Sequence, residues 1–180
     1  MKYATLVVDP PWEYQRTGVT FADATSGKFT GSTVPYSTMT LGQIADLPVR
    51  DLAARDSHLY LWTTQKYLRD SYWIAEAWGF KPSNVLVWCK APRGWTVGGT
   101  YMSTTEFVLF CRRGSLKAKQ RVDRQWFEWP RGKHSAKPEA FQDIVESTSP
   151  GPYLEMFARR PREGWHVWGN EVDSDVELVA

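Results

Sequence analysis

The sequence predicts an α/β fold with a mostly parallel sheet, on two observations. Apolar runs of strand length recur along the chain, and several are continuous rather than alternating, which is typical of strands covered on both faces. Segments with helical spacing lie between some of these runs, and alternating strands and helices favour parallel pairing. The predicted strands are Ala4–Val8, His58–Trp62, Asn84–Cys89, Glu106–Cys111, Tyr153–Ala158 and Trp165–Trp168.

Three segments carry helix signals. Thr40–Leu47 is short. Lys66–Trp78 has apolar residues at helical spacing and stops before Gly79, a common signal for a helix C-terminus. Pro138–Glu146 begins with proline, which suits the first turn of a helix.

The composition fits one domain with an ordinary core. The chain has 180 residues, 42% of them hydrophobic. We expect a single catalytic domain over residues 1–171 and an acidic C-terminal tail over residues 172–180, because the last ten residues carry four acids and no base. The formal net charge of +2 does not by itself demand a nucleic-acid partner.

The hydropathy and the cysteine spacing argue against a membrane span and a metal site. We find no signal-peptide pattern and no apolar stretch near the ~20 residues that a membrane span needs, so we expect a cytoplasmic protein with no membrane partner. Cys89 and Cys111 each end an apolar run without metal-ligand spacing. We therefore expect packed thiols and no metal ion.

Three long segments resist assignment to helix or strand: Glu13–Met39, Ala91–Thr104 and Arg113–Ser135. Long loops in a compact domain are usually lids or binding loops. Each follows a predicted strand, and in open α/β sheets ligands bind outside the carboxyl ends of the strands. We therefore expect the three segments to converge over one site.

The motif Asp9-Pro10-Pro11-Trp12 follows the first predicted strand. An adenine amine is a poor nucleophile because its lone pair is delocalised into the ring. A carboxylate and a backbone carbonyl that accept its two hydrogens favour a tetrahedral nitrogen, and prolines present carbonyls rigidly. Trp12 could stack on the purine, a contact worth about 1–3 kcal/mol per base. The electrophile would be the methyl sulfonium of S-adenosylmethionine, aligned by preorganised polar groups.

Seven further short motifs follow this one in a fixed order, and together they resemble the DPPW-bearing adenine-N6 methyltransferases. That family includes the catalytic subunit of the eukaryotic mRNA-methylating complex and many bacterial and phage DNA methyltransferases. The resemblance spans roughly Leu6 to Glu171. Its elements are VVDPPW at 7–12, PYSTM at 35–39, LYLWT at 59–63, WGFKP at 78–82, VWCK at 87–90, HSAKP at 134–138, SPGPYLEMFAR at 149–159 and GWHVWGNE at 164–171.

The resemblance implies a Rossmann-like methyltransferase fold dependent on S-adenosylmethionine, with a circularly permuted order in which the catalytic motif precedes the cofactor strand. By position, Asp9 contacts both the target amine and the methionine end of the cofactor. Tyr36 closes over the target base, Glu106 lies near the substrate, and Lys137 contacts cofactor or target.

Four later residues are assigned to the cofactor in the same way. Phe157 and Arg159 would line its pocket, and Asn170 and Glu171 would hold its ribose hydroxyls, as an acid beside a nucleotide pocket commonly does. Three of them keep a simpler alternative: Phe157 as core, Arg159 in a solvated turn and Glu171 as a surface acid. The chain departs from many relatives in lacking a glycine-rich cofactor loop, since FARRP stands there.

The segment Arg113–Ser135 mixes cations with aromatic residues. Eight of the 22 basic residues lie between Arg112 and Lys133 against two acids, so the excess charge concentrates there. Phosphate neutralisation combined with stacking is the usual physics of nucleic-acid binding, and a solvated loop is the alternative. The predicted phosphate-contacting residues are Lys117, Lys119, Arg121 and Arg124.

The sequence leaves several functions open. We favour methyl transfer to DNA over the same reaction on RNA, by analogy with compact bacterial and phage members. A catalytically silent nucleic-acid-binding partner subunit is a third interpretation, and a small-molecule methyltransferase a weaker fourth. We expect a monomer or a homodimer.

Overall fold

The computed structural model describes residues 1–13, 37–91, 100–101, 103–132 and 136–178. Seven strands form one sheet: β1 Tyr3–Val8, β2 Ala53–Thr63, β3 Lys81–Ala91, β4 Thr105–Arg113, β5 Trp126–Pro130, β6 Tyr153–Met156 and β7 Trp165–Trp168. Four α-helices accompany them: α1 Leu41–Ala45, α2 Val49–Leu52, α3 Leu68–Ala77 and α4 Glu139–Thr148. A short 3₁₀ helix at Gln65–Tyr67 leads into α3.

The strand order is β5-β3-β4-β2-β1-β6-β7. The neighbours β1 and β2, β1 and β6, β6 and β7, and β3 and β5 are parallel, whereas β4 runs antiparallel to both β2 and β3. The predicted α/β fold with a mostly parallel sheet is confirmed, and the circularly permuted motif order stays a prediction.

The centre of the sheet contains the crevice that this topology favours for ligands. From β1 the chain continues to β2 on one side, and from β6 it continues to β7 on the other side. Val8 pairs with Met156, so the residues that follow, Asp9 and Phe157, leave the sheet side by side. Binding sites in open α/β sheets lie at such switch points, at the carboxyl ends of the strands.

Both faces of the central strands are covered, which explains the continuous apolar runs. In β2, Leu59 and Leu61 pack with the cluster beneath α1 and α3, and Tyr60 and Trp62 pack with the cluster beneath α4. All four side chains are at most 2% exposed. Among the described residues, no helix is both long and apolar enough to cross a membrane.

The sequence analysis missed β5. Its residues alternate, with Phe127 buried and Glu128 exposed, as expected for a strand at the sheet's edge. Pro130 ends the strand, and proline is tolerated on an edge strand. The segment Arg113–Ser135, which the sequence left unassigned, therefore contains a strand.

The direction of β4 corrects a prediction about this segment. Because β4 is antiparallel, Thr105 and Glu106 lie at the edge where β2 ends, whereas Arg113 lies opposite Ser57 near the start of β2. The basic residues after Arg113 therefore begin at the edge opposite Asp9. The three long segments do not all leave the same edge of the sheet.

The acidic tail packs on the domain. Asp175 donates its backbone N–H to the Val167 carbonyl and accepts the Val167 N–H with its carboxylate, both at 2.9 Å. Val176 and Leu178 pack against the core. The tail thus satisfies part of the outer edge of β7, which would otherwise offer unpaired backbone groups.

Candidate active site

The DPPW motif turns sharply at the carboxyl end of β1. The Pro10 carbonyl accepts the Trp12 N–H at 2.9 Å, and the Pro11 carbonyl accepts the Met39 N–H at 2.9 Å. Each carbonyl therefore has one lone pair engaged and one remaining, since a carbonyl oxygen can accept two hydrogen bonds. The Asp9 side chain lies at this turn and is 19% exposed.

Trp12 anchors the turn, and its stacking on a purine stays a prediction. The residue is 3% exposed. Its ring stacks on Tyr67 with centroids 5.1 Å apart, and its Nε1 donates to the Trp62 carbonyl at 3.1 Å. These contacts hold the ring in place and fix the geometry of the motif.

A chain of alternating charges runs from Asp9 across the mouth of the site. Lys137 Nζ lies 2.8 Å from Asp9 Oδ2 and 3.3 Å from Glu106 Oε2. Glu106 Oε1 in turn lies 2.5 Å from Lys90 Nζ. Lys137 also stands 5.1 Å from the Trp62 ring centroid, where a cation–π attraction adds to its ion pairs.

Burial and pairing move the pKa values of this chain in different directions. Burial raises the pKa of Asp9, and the nearby charge of Lys137 only partly offsets it. For Glu106 burial acts in the same sense, but Lys137 and Lys90 together hold its pKa below the usual range. Burial lowers the pKa of Lys137, yet the attraction of Asp9 and Glu106 raises it overall. Asp9 is therefore the more basic carboxylate, and Lys137 stays charged.

Beyond Asp9 lies a cavity of about 260 Å³ between the ends of β1, β6 and β7. Four of the residues assigned to the cofactor by resemblance line it: Phe157, Arg159, Asn170 and Glu171. Arg159 Nη1 lies 3.5 Å from Glu171 Oε1. The structure thus brings together predicted residues that are far apart in the sequence.

Two backbone features shape this cavity without a glycine-rich loop. Phe157 has φ of +64°, a left-handed conformation that is uncommon outside glycine and often found at functional sites. Its ring meets Trp168 edge-to-face at 5.0 Å. A Cβ on Gly169 would lie 2.3 Å from the Ala158 carbonyl oxygen, so glycine is required for this close approach of the two strand ends.

Glu155 is a site residue that the sequence analysis missed. It lies on β6 in a small cavity that also has Asp9, Lys137 and Gln142 in its wall. Burial, with the charge of Asp9 adding to it, raises the pKa of Glu155 to about 7. Gln142 Nε2 donates to Glu155 Oε2 at 2.5 Å, whereas the buried Gln142 Oε1 has no hydrogen-bond partner among the described residues. The signal in the sequence was an acid inside the otherwise apolar run YLEMF.

The polar groups that line the two cavities beside Asp9 fit S-adenosylmethionine. Asp9, Glu155 and the unpartnered Gln142 Oε1 are acceptors suited to an ammonium group, and Lys137 and Arg159 suit a carboxylate. Asn170 and Glu171 suit ribose hydroxyls. Within the described part of the chain, no group of three His, Cys, Asp or Glu side chains could hold a metal ion.

Comparison with known proteins decides the family. The MT-A70 family model matches residues 3–171. The chain belongs to the MT-A70 family. The resemblance to adenine-N6 methyltransferases that the sequence motifs indicated is thereby confirmed.

Individual MT-A70 relatives differ in how much of their length is covered. The type II methyltransferase M.MunI from Mycoplasma sp is 32% identical over 98% of this chain and 81% of its own length. The human N(6)-adenine-specific methyltransferase METTL4 is 27% identical over 94% of this chain but only 37% of its own length. The N6-methyladenosine RNA methyltransferase MTA1 of Cryphonectria parasitica is 26% identical over 93% of this chain and 51% of its own length. The chain therefore spans about a third to a half of these two eukaryotic relatives.

The structure does not bring the remaining predicted residues together with this site. Tyr36 falls in residues 14–36, outside the described part of the chain. The four basic residues of the predicted phosphate-binding segment follow β4 and leave from the opposite edge. Lys119 Nζ donates to the Glu146 carbonyl at 2.7 Å, and Arg124 pairs with its neighbour Asp123 at 3.1 Å. Lys117, Lys119, Arg121 and Arg124 are therefore not part of the Asp9 site.

Proposed function

We propose that this MT-A70 protein transfers a methyl group from S-adenosylmethionine to the exocyclic N6 amine of adenine in DNA. The observation that carries the proposal is the carboxylate of Asp9, held at the end of β1 by Lys137 and open to the cavity lined by Asn170 and Glu171. The proposal agrees with the names of the three relatives, which are methyltransferases, since METTL4 is named as N6-adenine-specific and MTA1 as an N6-methyladenosine RNA methyltransferase.

Asp9 has the geometry of an acceptor for the target amine. Lys137 holds Oδ2, and among the described residues no group bonds to Oδ1. Oδ1 can therefore accept one N–H, while the second lone pair of the Pro10 carbonyl can accept the other. Held by two acceptors, the nitrogen becomes more tetrahedral and its lone pair becomes available for attack.

S-adenosylmethionine, when bound, supplies the activated methyl group. The methyl group would pass to the amine nitrogen as its bond to sulfur breaks, and the electron pair of that bond would stay on sulfur. The nitrogen then loses one proton, and Asp9, whose pKa burial raises, is placed to accept it and pass it to solvent. Lys137 stays charged throughout and keeps Asp9 in position.

A polar groove beside Glu106 offers a path for the nucleic acid. Its lining includes Thr64, Lys66, Ser103 and Thr105. The buried Thr64 Oγ1 has no hydrogen-bond partner among the described residues, so it can bond to a ligand. Hydroxyl and ammonium donors of this kind commonly contact phosphate and sugar, which position a strand without reading its sequence. The target nucleotide would reach Asp9 past this groove, out of the base stack.

Transfer of a radioactive methyl group to matched single- and double-stranded DNA and RNA tests the proposal. Asp9→Asn should lower turnover by at least about 100-fold, because it removes the charged acceptor. Asp173→Asn, a change of an exposed acid in the tail, is the matched control and should retain full activity. Activity of the Asp9 variant within about tenfold of the parent would remove Asp9 from the mechanism. Transfer to RNA but not to DNA would support methylation of the adenine amine and would show that the substrate is RNA.

Calorimetric titration tests the cofactor assignment separately. Asn170→Ala combined with Glu171→Ala should weaken S-adenosylmethionine binding by roughly 1–3 kcal/mol, the value of two lost hydrogen bonds. Glu177→Ala, which changes another acid of the same tail, is the control. An unchanged dissociation constant in the double variant would place the ribose elsewhere.

A further inference from the structure

A second cavity lies at the opposite edge of the sheet from Asp9. It has a volume of about 590 Å³ and is bounded by the sheet, the C-terminal end of α4 and the segment 118–125. Its floor is apolar and largely aromatic, with Tyr60, Leu86, Phe110 and Phe127. We call it the rear cavity. Its volume is in the range typical of small-molecule sites.

The wall formed by segment 118–125 is fixed at both ends. Lys119 donates its backbone N–H to the Thr148 carbonyl at 2.7 Å. At the other end, the Gln125 carbonyl accepts the Val87 N–H at 2.8 Å. Just before the segment, the Leu116 carbonyl bonds to the buried His58 ring at 3.2 Å. The rear cavity is thus preformed.

The rim of the rear cavity is strongly cationic. Arg112, Arg121 and Arg124 line it against one carboxylate, Asp123, which is paired with Arg124 at 3.1 Å. Arg112 bonds to the Leu116 carbonyl at 3.1 Å. In the described part of the chain, neither Arg112 nor Arg121 is in a salt bridge with an acid. Guanidinium groups without acidic partners bind phosphate oxygens well, because the planar fork matches their geometry.

Polar groups complete the lining. The amides of Asn84 and Gln125 face each other across the rim, with Nδ2 and Oε1 3.5 Å apart. Thr148, at the end of α4, contributes a buried Oγ1 that has no hydrogen-bond partner among the described residues. An apolar floor, amides and arginines together suit a flat heterocycle that carries a phosphate.

We propose that the rear cavity binds one nucleotide, with its base on the floor near Phe110 and Phe127 and its phosphate at Arg112 and Arg121. The nucleotide is either free in solution or one unit of a nucleic-acid strand, since both present the same base and phosphate. This site is separate from the Asp9 site, and its occupancy does not depend on methyl transfer. The basic segment that the sequence singled out thereby acquires a function at the other end of the sheet.

Calorimetric titration without S-adenosylmethionine tests the proposal, with thymidine 5′-monophosphate and a short oligothymidylate as probes. Thymine avoids any adenine-specific binding near Asp9. Arg112→Gln combined with Arg121→Gln should weaken binding about tenfold or more, because charge-assisted hydrogen bonds are lost. Ala118→Trp, a change of an exposed lining residue, should block the rear cavity without altering charge. Arg69→Gln removes an exposed cation on α3 that does not line the cavity, and it should bind as the parent does.

The pattern of binding across probes and variants decides the outcome. Binding of the monophosphate that Ala118→Trp abolishes establishes a free-nucleotide site. Binding of the oligothymidylate alone, with the same sensitivity, assigns the rear cavity to a strand. If neither probe binds the parent, or if Ala118→Trp binds both probes like the parent, the proposal is wrong. Circular dichroism spectra of all variants provide the folding control, and methyl transfer by the Ala118→Trp variant shows independently whether the Asp9 site is intact.

Discussion

The two edges of the sheet use the same kinds of charged residue in different ways. At the Asp9 edge, Lys137 is 18% exposed and lies between two carboxylates. At the opposite edge, Arg124 and Asp123 form a pair whose side chains are 54% and 79% exposed. Coulomb energies are large where water is excluded and small where it is present. Local density of basic residues in the sequence therefore does not identify the charges that we propose to be catalytic, whereas burial singles them out.

Removing the cation at the Asp9 edge should produce the largest effect. In Lys137→Met, Asp9 and Glu106 lose the charge that they share, and Asp9 loses the contact that orients it. We expect turnover to fall by about 100-fold or more in methyl-transfer assays. Lys137→Arg keeps the charge and should recover part of the activity. The same measurement on Lys117→Met, at the exposed basic segment, should give the parent rate. Equal rates for the two methionine variants would show that the edges do not differ in this way.

Closing the gap between the strand ends should have the next largest effect. In Gly169→Ala, the new Cβ would meet the Ala158 carbonyl oxygen at 2.3 Å, and backbone must move. We expect the free energy of unfolding to fall by about 3 kcal/mol, as for an overpacked site, and binding of S-adenosylmethionine to weaken. Chemical denaturation and calorimetry measure the two effects. Gly42→Ala, where the nearest atom is 4.0 Å away, is the control and should be neutral or slightly stabilising.

Much of the Asp9 edge was predictable from the sequence because its residues follow strands directly. Asp9 comes after β1 and Phe157 after β6, and two adjacent parallel strands bring their ends together. Strand direction was not predictable in the same way. The run FVLFC of β4 reads alike in a parallel or an antiparallel strand, so nothing in it indicated that Arg113 lies at the far edge.

Packing partners were equally invisible in the sequence. A tryptophan next to two prolines can face a ligand or the core. Trp12 is buried because it stacks on Tyr67, at the end of the 3₁₀ helix, and the sequence does not show this contact. Glu155 was missed because alternation along a four-residue strand does not show which face holds a cavity. The left-handed backbone of Phe157 is a tertiary feature, since phenylalanine has no intrinsic preference for it.

The pH dependence of stability should distinguish Glu155 from exposed acids. Its pKa rises from 4.5 to about 7 on folding. Below pH 4.5 the carboxyl group is protonated in both the folded and the unfolded chain. Between pH 4.5 and about pH 7 it is protonated only in the folded chain, so the free energy of unfolding falls as the pH rises. The nominal loss is 1.36 kcal/mol per pKa unit. Because the side chain is only half-buried, we expect about 2 kcal/mol in total.

Denaturant unfolding between pH 5 and pH 8 measures this effect. Glu155→Gln keeps an oxygen that can accept from Gln142 and removes the titrating group. Between pH 5 and pH 8 the free energy of unfolding of this variant should therefore decrease by about 2 kcal/mol less than that of the parent. Glu163→Gln, at an exposed position, should follow the parent curve. Parallel curves for the parent and Glu155→Gln would mean that Glu155 ionises near its ordinary pKa in the folded protein.

The smallest effect should come from the exposed basic segment, where Lys119 bonds to the Glu146 carbonyl in the last turn of α4. A cation there interacts favourably with the partial negative charge of the helix C-terminus, and Lys119→Gln should cost about 0.5 kcal/mol of unfolding free energy. The loss should shrink with added salt, because the side chain is exposed and screened. Methyl transfer should be unchanged, because Lys119 lies at the edge opposite Asp9. Lys117→Gln, two residues earlier in the chain, removes a cation for which no bond to a helix carbonyl is found among the described residues, and it should cost nothing measurable. A drop in turnover for Lys119→Gln at saturating DNA would instead show that the two edges act together during catalysis.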